Sequence, residues 1–159
     1  MPIPPHIARL RAAVGPTELL LLPSASVLPV DPAGRLLLVR HRGHTDGWGL
    51  VGGAVEPGES PAEAAVREAW EEIGVEVRVV RLLDVLGGPD FEVIYPHGDR
   101  AAYVTAVYQV EIVAGTPLPD GDEIGAAGWF DRTEIATLPI SRFARAVLRA
   151  TGHLDESAG

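Results

Sequence analysis

A chain of 159 residues with 47% hydrophobic and 22% charged residues can bury one real core, so residues 1–159 are read as a single domain. The 13 Lys and Arg against 22 Asp and Glu leave a net charge of −9, which argues against long nucleic acid as a partner but leaves a small phosphorylated ligand open, since a bound cation inverts the sign of an acidic pocket. Cysteine is absent, which excludes disulfides, thiolate catalysis and Cys-ligated metals; no continuous apolar leader or spanning run is present, so the expected location is cytoplasmic, with no membrane partner.

After Pro4 and Pro5, the residues Ile7, Leu10 and Val14 recur at helical spacing until Gly15-Pro16, which predicts a short helix. Two β-rich runs follow, ELLLLPSASVLPV and RLLLVRH, separated by Asp31-Pro32-Ala33-Gly34; that turn chemistry predicts an antiparallel hairpin. Between His41 and Gly58 glycine recurs too often for a helix, and the stretch is read as a loop that lets backbone approach a ligand. Residues 60–73 form the best helix in the chain, with Pro61 in the first turn and Gly74 at the end. VEVRVVRLLDVL, AAYVTAVYQVEIV and GWF read as strands, ISRFARAVLRA as an amphipathic helix, and residues 152–159 as a frayed, flexible tail.

Along 60–73, Ala62, Ala65, Val66, Ala69, Trp70 and Ile73 define an apolar face, expected to be the core side. Glu68, Glu71 and Glu72 then share a strip pointing away from that core. Like charges at those spacings repel, and near a helix C-terminus the macrodipole opposes them further. Arg67 offers one compensation. A hard divalent cation offers a better one, because Mg²⁺ prefers carboxylates together with substrate phosphate oxygens. Most acidic runs on helices are simply solvated faces, so the helix by itself leaves the choice open.

The surrounding residues narrow it. GAVEPGESPAEAAVREAWEEIGV reads as Gly53, five residues, Glu59, seven residues, Arg67-Glu68, an aliphatic residue, any residue, Glu71-Glu72, any residue, Gly74 and an aliphatic residue. This run resembles the signature of the Nudix hydrolase superfamily, of the MutT type, at every specified position. The resemblance implies an α/β Nudix fold, a mixed and mostly antiparallel sheet sandwiched between helices. It also implies Mg²⁺ or Mn²⁺ held by Glu68, Glu71, Glu72 and the backbone carbonyl of Gly53, with Glu59 and Arg67 as supports that hold those carboxylates in register. The catalytic set it implies is Glu71, Glu72 and Arg67; Glu123, outside the signature, resembles the loop-borne base of some relatives. One departure is Val51, where many relatives carry proline.

Arg40 and Arg42, at a strand end facing the glycine-rich loop, are candidate phosphate contacts, and Gly52 is a candidate for close backbone approach to substrate. Trp48, Phe91, Tyr95 and Tyr103 are aromatic candidates for base stacking, with core packing as the ordinary alternative for each. The function expected from the resemblance is hydrolysis of a nucleoside diphosphate linked to another moiety, leaning to ADP-ribose or a nucleotide sugar. A (d)NTP pyrophosphohydrolase clearing damaged nucleotides and a catalytically silent ligand-sensing module are the alternatives. The small nucleotide-type substrate is the expected partner, and exchange of the N-terminal elements across a two-fold axis would make a homodimer.

Overall fold

The computed structural model describes residues 3–44 and 46–157. In chain order it contains α1 (Pro5–Val14), β1 (Leu19–Pro29), β2 (Leu36–His41), β3 (Val51–Ala54), α2 (Pro61–Ile73), β4 (Glu76–Leu86), β5 (Glu92–Ile94), β6 (Arg100–Ala114), β7 (Ile124–Phe130), α3 (Arg132–Thr137) and α4 (Arg142–Ala150). One sheet runs β3-β1-β6-β4 with β5 beside β6, and β2 pairs with β7 in a second. The β1/β6 pair is parallel and every other pair antiparallel. This is the mixed, mostly antiparallel α/β architecture read from the sequence.

The predicted hairpin does not form as a ladder. Val30 and Leu36 make one isolated bridge, after which β1 and β2 part into different sheets. The reason lies in β2, where Leu36, Leu37, Leu38 and Val39 are all buried. Leu37 and Val39 enter the core beneath α2, and Leu36 and Leu38 enter the core beneath α4. A strand apolar on both faces packs between two layers, and a two-stranded hairpin with an open face could not supply them.

Part of the predicted glycine loop is also a strand, since Val51–Ala54 pairs antiparallel with Ser24–Val27 of β1. Gly52 sits at φ 154, and a Cβ there would collide with the Ala25 carbonyl. Glycine is therefore required at this crossing by close approach of backbone to backbone.

α2 begins and ends where the sequence places it. Ser60 Oγ accepts from the Glu63 N–H, Glu63 reaches back to the Ser60 N–H, and Gly74 turns out at φ 67. Its orientation is different from the predicted one. The buried face is Ala64, Ala65, Glu68, Ala69, Glu72 and Ile73, whereas Val66 and Trp70 are exposed, Trp70 at 60%. Small alanines let the helix lie close on β1 and β3, and this rotates the glutamates inward.

The tail assigned to fraying from Gly152 also packs. Leu154 is 4% exposed within the α4 core, and the His153 and Leu154 N–H groups both bond the Leu148 carbonyl. Among the described residues, no helix is long and apolar enough to cross a membrane.

Candidate active site

Arg67 organises the carboxylates of α2 and of the loop before it. Its Nε and Nη2 donate to the two oxygens of Glu59 at 3.1 and 2.7 Å, a bidentate fork. Its Nη1 donates to Glu68 at 2.9 Å and to Glu71 at 3.1 Å, and Nη2 also bonds the Ala54 carbonyl at 3.0 Å. The guanidinium thus ties the loop, β3 and the helix together. Its hydrogen bonds hold the Glu59 carboxyl below the usual carboxylate range.

Glu68 and Glu72 form the centre of the site. They are 3% and 1% exposed, and each keeps one oxygen, Oε2, with no hydrogen-bond partner among the described residues. Burial first, and then the neighbouring Glu68 charge, raises the Glu72 carboxyl well above its ordinary range. Burial raises Glu68 as well, opposed first by its contact with the Glu72 carboxyl and then by Arg67. Gly53 closes against this pair, for a Cβ there would collide with Glu68 Oε1. The Gly52 N–H points at Glu72 Oε1 at 3.4 Å.

Glu71 does not join that pair. Its side chain is 52% exposed and turned to Arg67. Among the described residues no three His, Asp or Glu side chains form a ready-made cation cage. Two orphaned carboxylate oxygens beside a glycine backbone nevertheless make a hard, all-oxygen donor set that fits Mg²⁺ or Mn²⁺. Mg²⁺ in particular takes one or two carboxylates and leaves the remaining positions to water and substrate phosphate.

Glu123 arrives from the other side. The loop before β7 docks on the end of α2, with the Leu118 and Asp120 N–H groups bonding the Ile73 and Glu72 carbonyls at 3.0 and 3.1 Å. Asp120 in turn accepts from the Ile124 N–H, and the Arg42 N–H holds the Glu123 carbonyl at 2.7 Å. Desolvation, and then the Glu68 charge, pushes the Glu123 carboxyl up to about 7. His41 Nε2 lies 3.8 Å from Glu72 Oε2, and desolvation followed by repulsion from His44 depresses its pKa to about 4, so the imidazole is neutral at pH 7.

A profile of the NUDIX domain matches residues 20–151, which runs from the second residue of β1 to just past the end of α4. The chain belongs to the Nudix family. It is 35% identical over 117 residues to the NAD-capped RNA hydrolase NudC of Chromobacterium violaceum, an alignment covering 73% of this chain and 40% of that protein. The chain therefore spans about two fifths of that relative's length. The crystal structure of a MutT Nudix hydrolase from Burkholderia pseudomallei superposes with a TM-score of 0.68 at 27% identity, covering 82% of this chain and 97% of that one. An ADP-ribose pyrophosphatase from Streptococcus suis shares the fold with a TM-score of 0.61 at 20% identity, covering 77% of this chain and 81% of that one.

Within this Nudix fold a cleft of about 680 Å³ opens beside the carboxylates. It is lined by Arg42, Gly52, Gly53, Arg67, Glu68, Glu71, Glu72, Tyr95, Tyr103 and Glu123 from the predicted set. The other predicted substrate contacts lie elsewhere. Arg40 stands over the Trp48 ring at 5.9 Å, and Trp48 packs edge-on against Phe130 at 4.8 Å, so the pair covers the β2/β7 sheet. Phe91 is buried against Phe143 at 4.9 Å in the α4 core. All three lie outside the lining of this cleft, and the two aromatics pack as large aromatics near a core usually do. Sequence reasoning missed Ser24, whose side chain is buried along the same cleft. The available signal was the alternation of serine in the apolar run LLLLPSASVLPV, which puts Ser24 and Ser26 on one strand face.

Proposed function

We propose that the protein hydrolyses a phosphoanhydride bond in a nucleoside diphosphate linked to a second moiety, with ADP-ribose or a nucleotide sugar as the leading substrate class. The observation that carries this reading is the buried Glu68/Glu72 pair with an unpartnered oxygen on each side chain, opening on a cleft large enough for a dinucleotide-sized ligand. Buried charge of that kind is costly, and a dedicated cation site is the arrangement that offsets it.

When bound, Mg²⁺ or Mn²⁺ held by Glu68, Glu72 and the Gly53 backbone supplies charge neutralisation for the diphosphate and acidifies water. Glu123 is the carboxylate suited to accept the proton of the attacking water, because its pKa near 7 places it close to the operating pH and it faces the cleft. Arg67 acts through the glutamates it fastens, and Glu59 fixes Arg67. Arg42, exposed at the cleft rim, supplies a positive charge for the phosphates.

The NAD-capped RNA hydrolase relative points to a related substrate, since an NAD cap is itself a diphosphate joining two nucleosides. With a net charge of −9, the chain is poorly suited to grip an RNA backbone, so the diphosphate end is the part recognised in this reading. The test is product analysis by chromatography with Mg²⁺ and a panel of ADP-ribose, nucleotide sugars, NAD and dNTPs, for the wild type and Glu72→Gln. Mononucleotide products from a linked diphosphate, lost by on the order of 100-fold in the variant, support the reading. Ligand binding without turnover by the wild type means a sensing module, and preferential release of pyrophosphate from dNTPs means the triphosphate-clearing alternative.

A further inference from the structure

β4 ends the larger sheet, with β6 on one side and no strand on the other among the described residues. Its second half is apolar and open to solvent, with Leu82 51% and Val85 54% exposed and Val80 exposed beside them. A free strand edge of that kind recruits another chain unless charge, a bulge or a covering element blunts it. The two charges on this half of the strand are Arg81 and Asp84, both exposed, and neither has an oppositely charged partner among the described residues. Arg78, earlier on the same strand, finds Glu111 directly across on β6 and donates to it at 2.8 Å. Arg81 has only Gln109 across from it, and Asp84 only Val107.

The register of β4 makes this edge complementary to itself. Arg81, Leu82, Asp84 and Val85 lie opposite Gln109, Tyr108, Val107 and Ala106, which are successive positions on β6, so Leu83 is an extra, bulged residue. Arg81 and Asp84 therefore stand one ladder position to either side of Leu82 and share one face of the sheet. Val79, opposite Val110, and Val85 stand two positions to either side and share the other face with Leu82. A second copy running antiparallel about a two-fold axis at Leu82 sets Leu82 against the partner's Leu82. The same axis sets Arg81 against the partner's Asp84 and Val85 against the partner's Val79, each contact occurring twice. An axis at Arg81 or at Asp84 would bring like charges together instead, which is unfavourable. Val79 also lines a shallow apolar hollow with Ala62 and Val66 of α2, and this hollow lies where the other copy's Val85 arrives.

We propose that β4 is the contact surface of a homodimer, in which two copies of this chain close edge to edge about Leu82. The bulges at Val80 and Leu83 interrupt a long backbone ladder, so side chains carry the association. Growth stops at two, because the contact uses the same edge of both copies. A second copy fits this edge better than an unrelated partner does, since one cation and one anion flank an apolar centre at equal spacing on a single strand. The chain's net charge of −9 opposes self-association elsewhere on the surface, whereas residues 79–86 are locally neutral.

Sedimentation velocity over a concentration series tests this with the wild type, Leu82→Glu, Arg81→Asp and the double variant Arg81→Asp/Asp84→Arg. All three positions are exposed, so each variant keeps the fold, and circular dichroism checks that it does. The wild type reaches the mass of two 16.8 kDa chains. Leu82→Glu puts two like charges on the axis and stays monomeric. Arg81→Asp sets carboxylate against carboxylate in both pairs and weakens the dimer by about tenfold or more. The double variant exchanges both charges and returns to the wild-type affinity, a recovery that a purely local role for either residue would not produce. A wild type that is monomeric at every concentration overturns the proposal. So does a dimer that survives both single changes, as exchange of the N-terminal elements would give, or a double variant no tighter than Arg81→Asp.

Discussion

Glu72 carries a carboxylate almost wholly removed from water, with one oxygen unpartnered. Its folded-state pKa lies above the unfolded value, chiefly through burial. The stability it contributes is therefore fully present below the unfolded pKa and is lost progressively as pH rises through the folded one. In EDTA, Glu72→Gln melts several degrees above the wild type at pH 8, where the buried charge is uncompensated, and the gap closes toward pH 5; differential scanning calorimetry reads it. A gap independent of pH would mean the carboxylate is solvated or paired. For Glu123, raised to about 7, kcat/KM climbs with pH through an apparent pKa near that value, and Glu123→Gln removes the limb with a rate loss of about 100-fold. At this scale the sequence showed which acidic residues share one helix strip and concealed how they are placed. The acidic trio was legible, but its apolar neighbours Val66 and Trp70 suggested a core face that the helix gives instead to Ala64, Ala65 and Ala69. Hydrophobicity ranks side chains by size, whereas close packing of a helix on strands selects small ones.

The elements themselves follow from local chemistry. The start of α2 at Pro61 and its end at Gly74 were readable, and the Ser60/Glu63 capping box that the structure adds has an effect on stability separable from catalysis. Ser60→Ala costs about 1 kcal/mol, a loss of roughly 2–4 °C in Tm, with kcat unchanged. Arg67→Lys keeps the charge but loses the fork to Glu59 and the shared bonds to Glu68 and Glu71, so Mn²⁺ affinity falls by about 10- to 100-fold while the fold persists. Two elements were misread for related reasons. The apparent hairpin at Asp31–Gly34 has good turn residues, but β2 is apolar on both faces and joins β7. The short β3 looked like loop because its glycines are there for close approach to Ala25 and Glu68, a demand made by tertiary structure and invisible in a window of sequence.

At the scale of the molecule, two sheets pack among three apolar clusters, and the proposed chemistry lies where α2, β3 and the loop before β7 converge. The central pairing of the larger sheet, β1 parallel to β6, joins strands far apart in the chain, and no local pattern announces it. The family signature supplied that long-range information indirectly, by resemblance, for the fold and for the acidic helix. It did not extend to Trp48, Arg40 and Phe91, whose positions depend on how β7 and α4 pack. The whole account depends on a cation held between Glu68 and Glu72. Titration of Mn²⁺ followed by electron paramagnetic resonance measures it directly, with the wild type, Glu68→Gln, Glu71→Gln and Glu72→Gln compared at pH 8. The geometry predicts that the free Mn²⁺ signal is quenched by the wild type and by Glu71→Gln, and that both buried-pair variants lose most of the binding. A wild type that leaves the signal unchanged, or a Glu71 variant as defective as the Glu72 one, would contradict it.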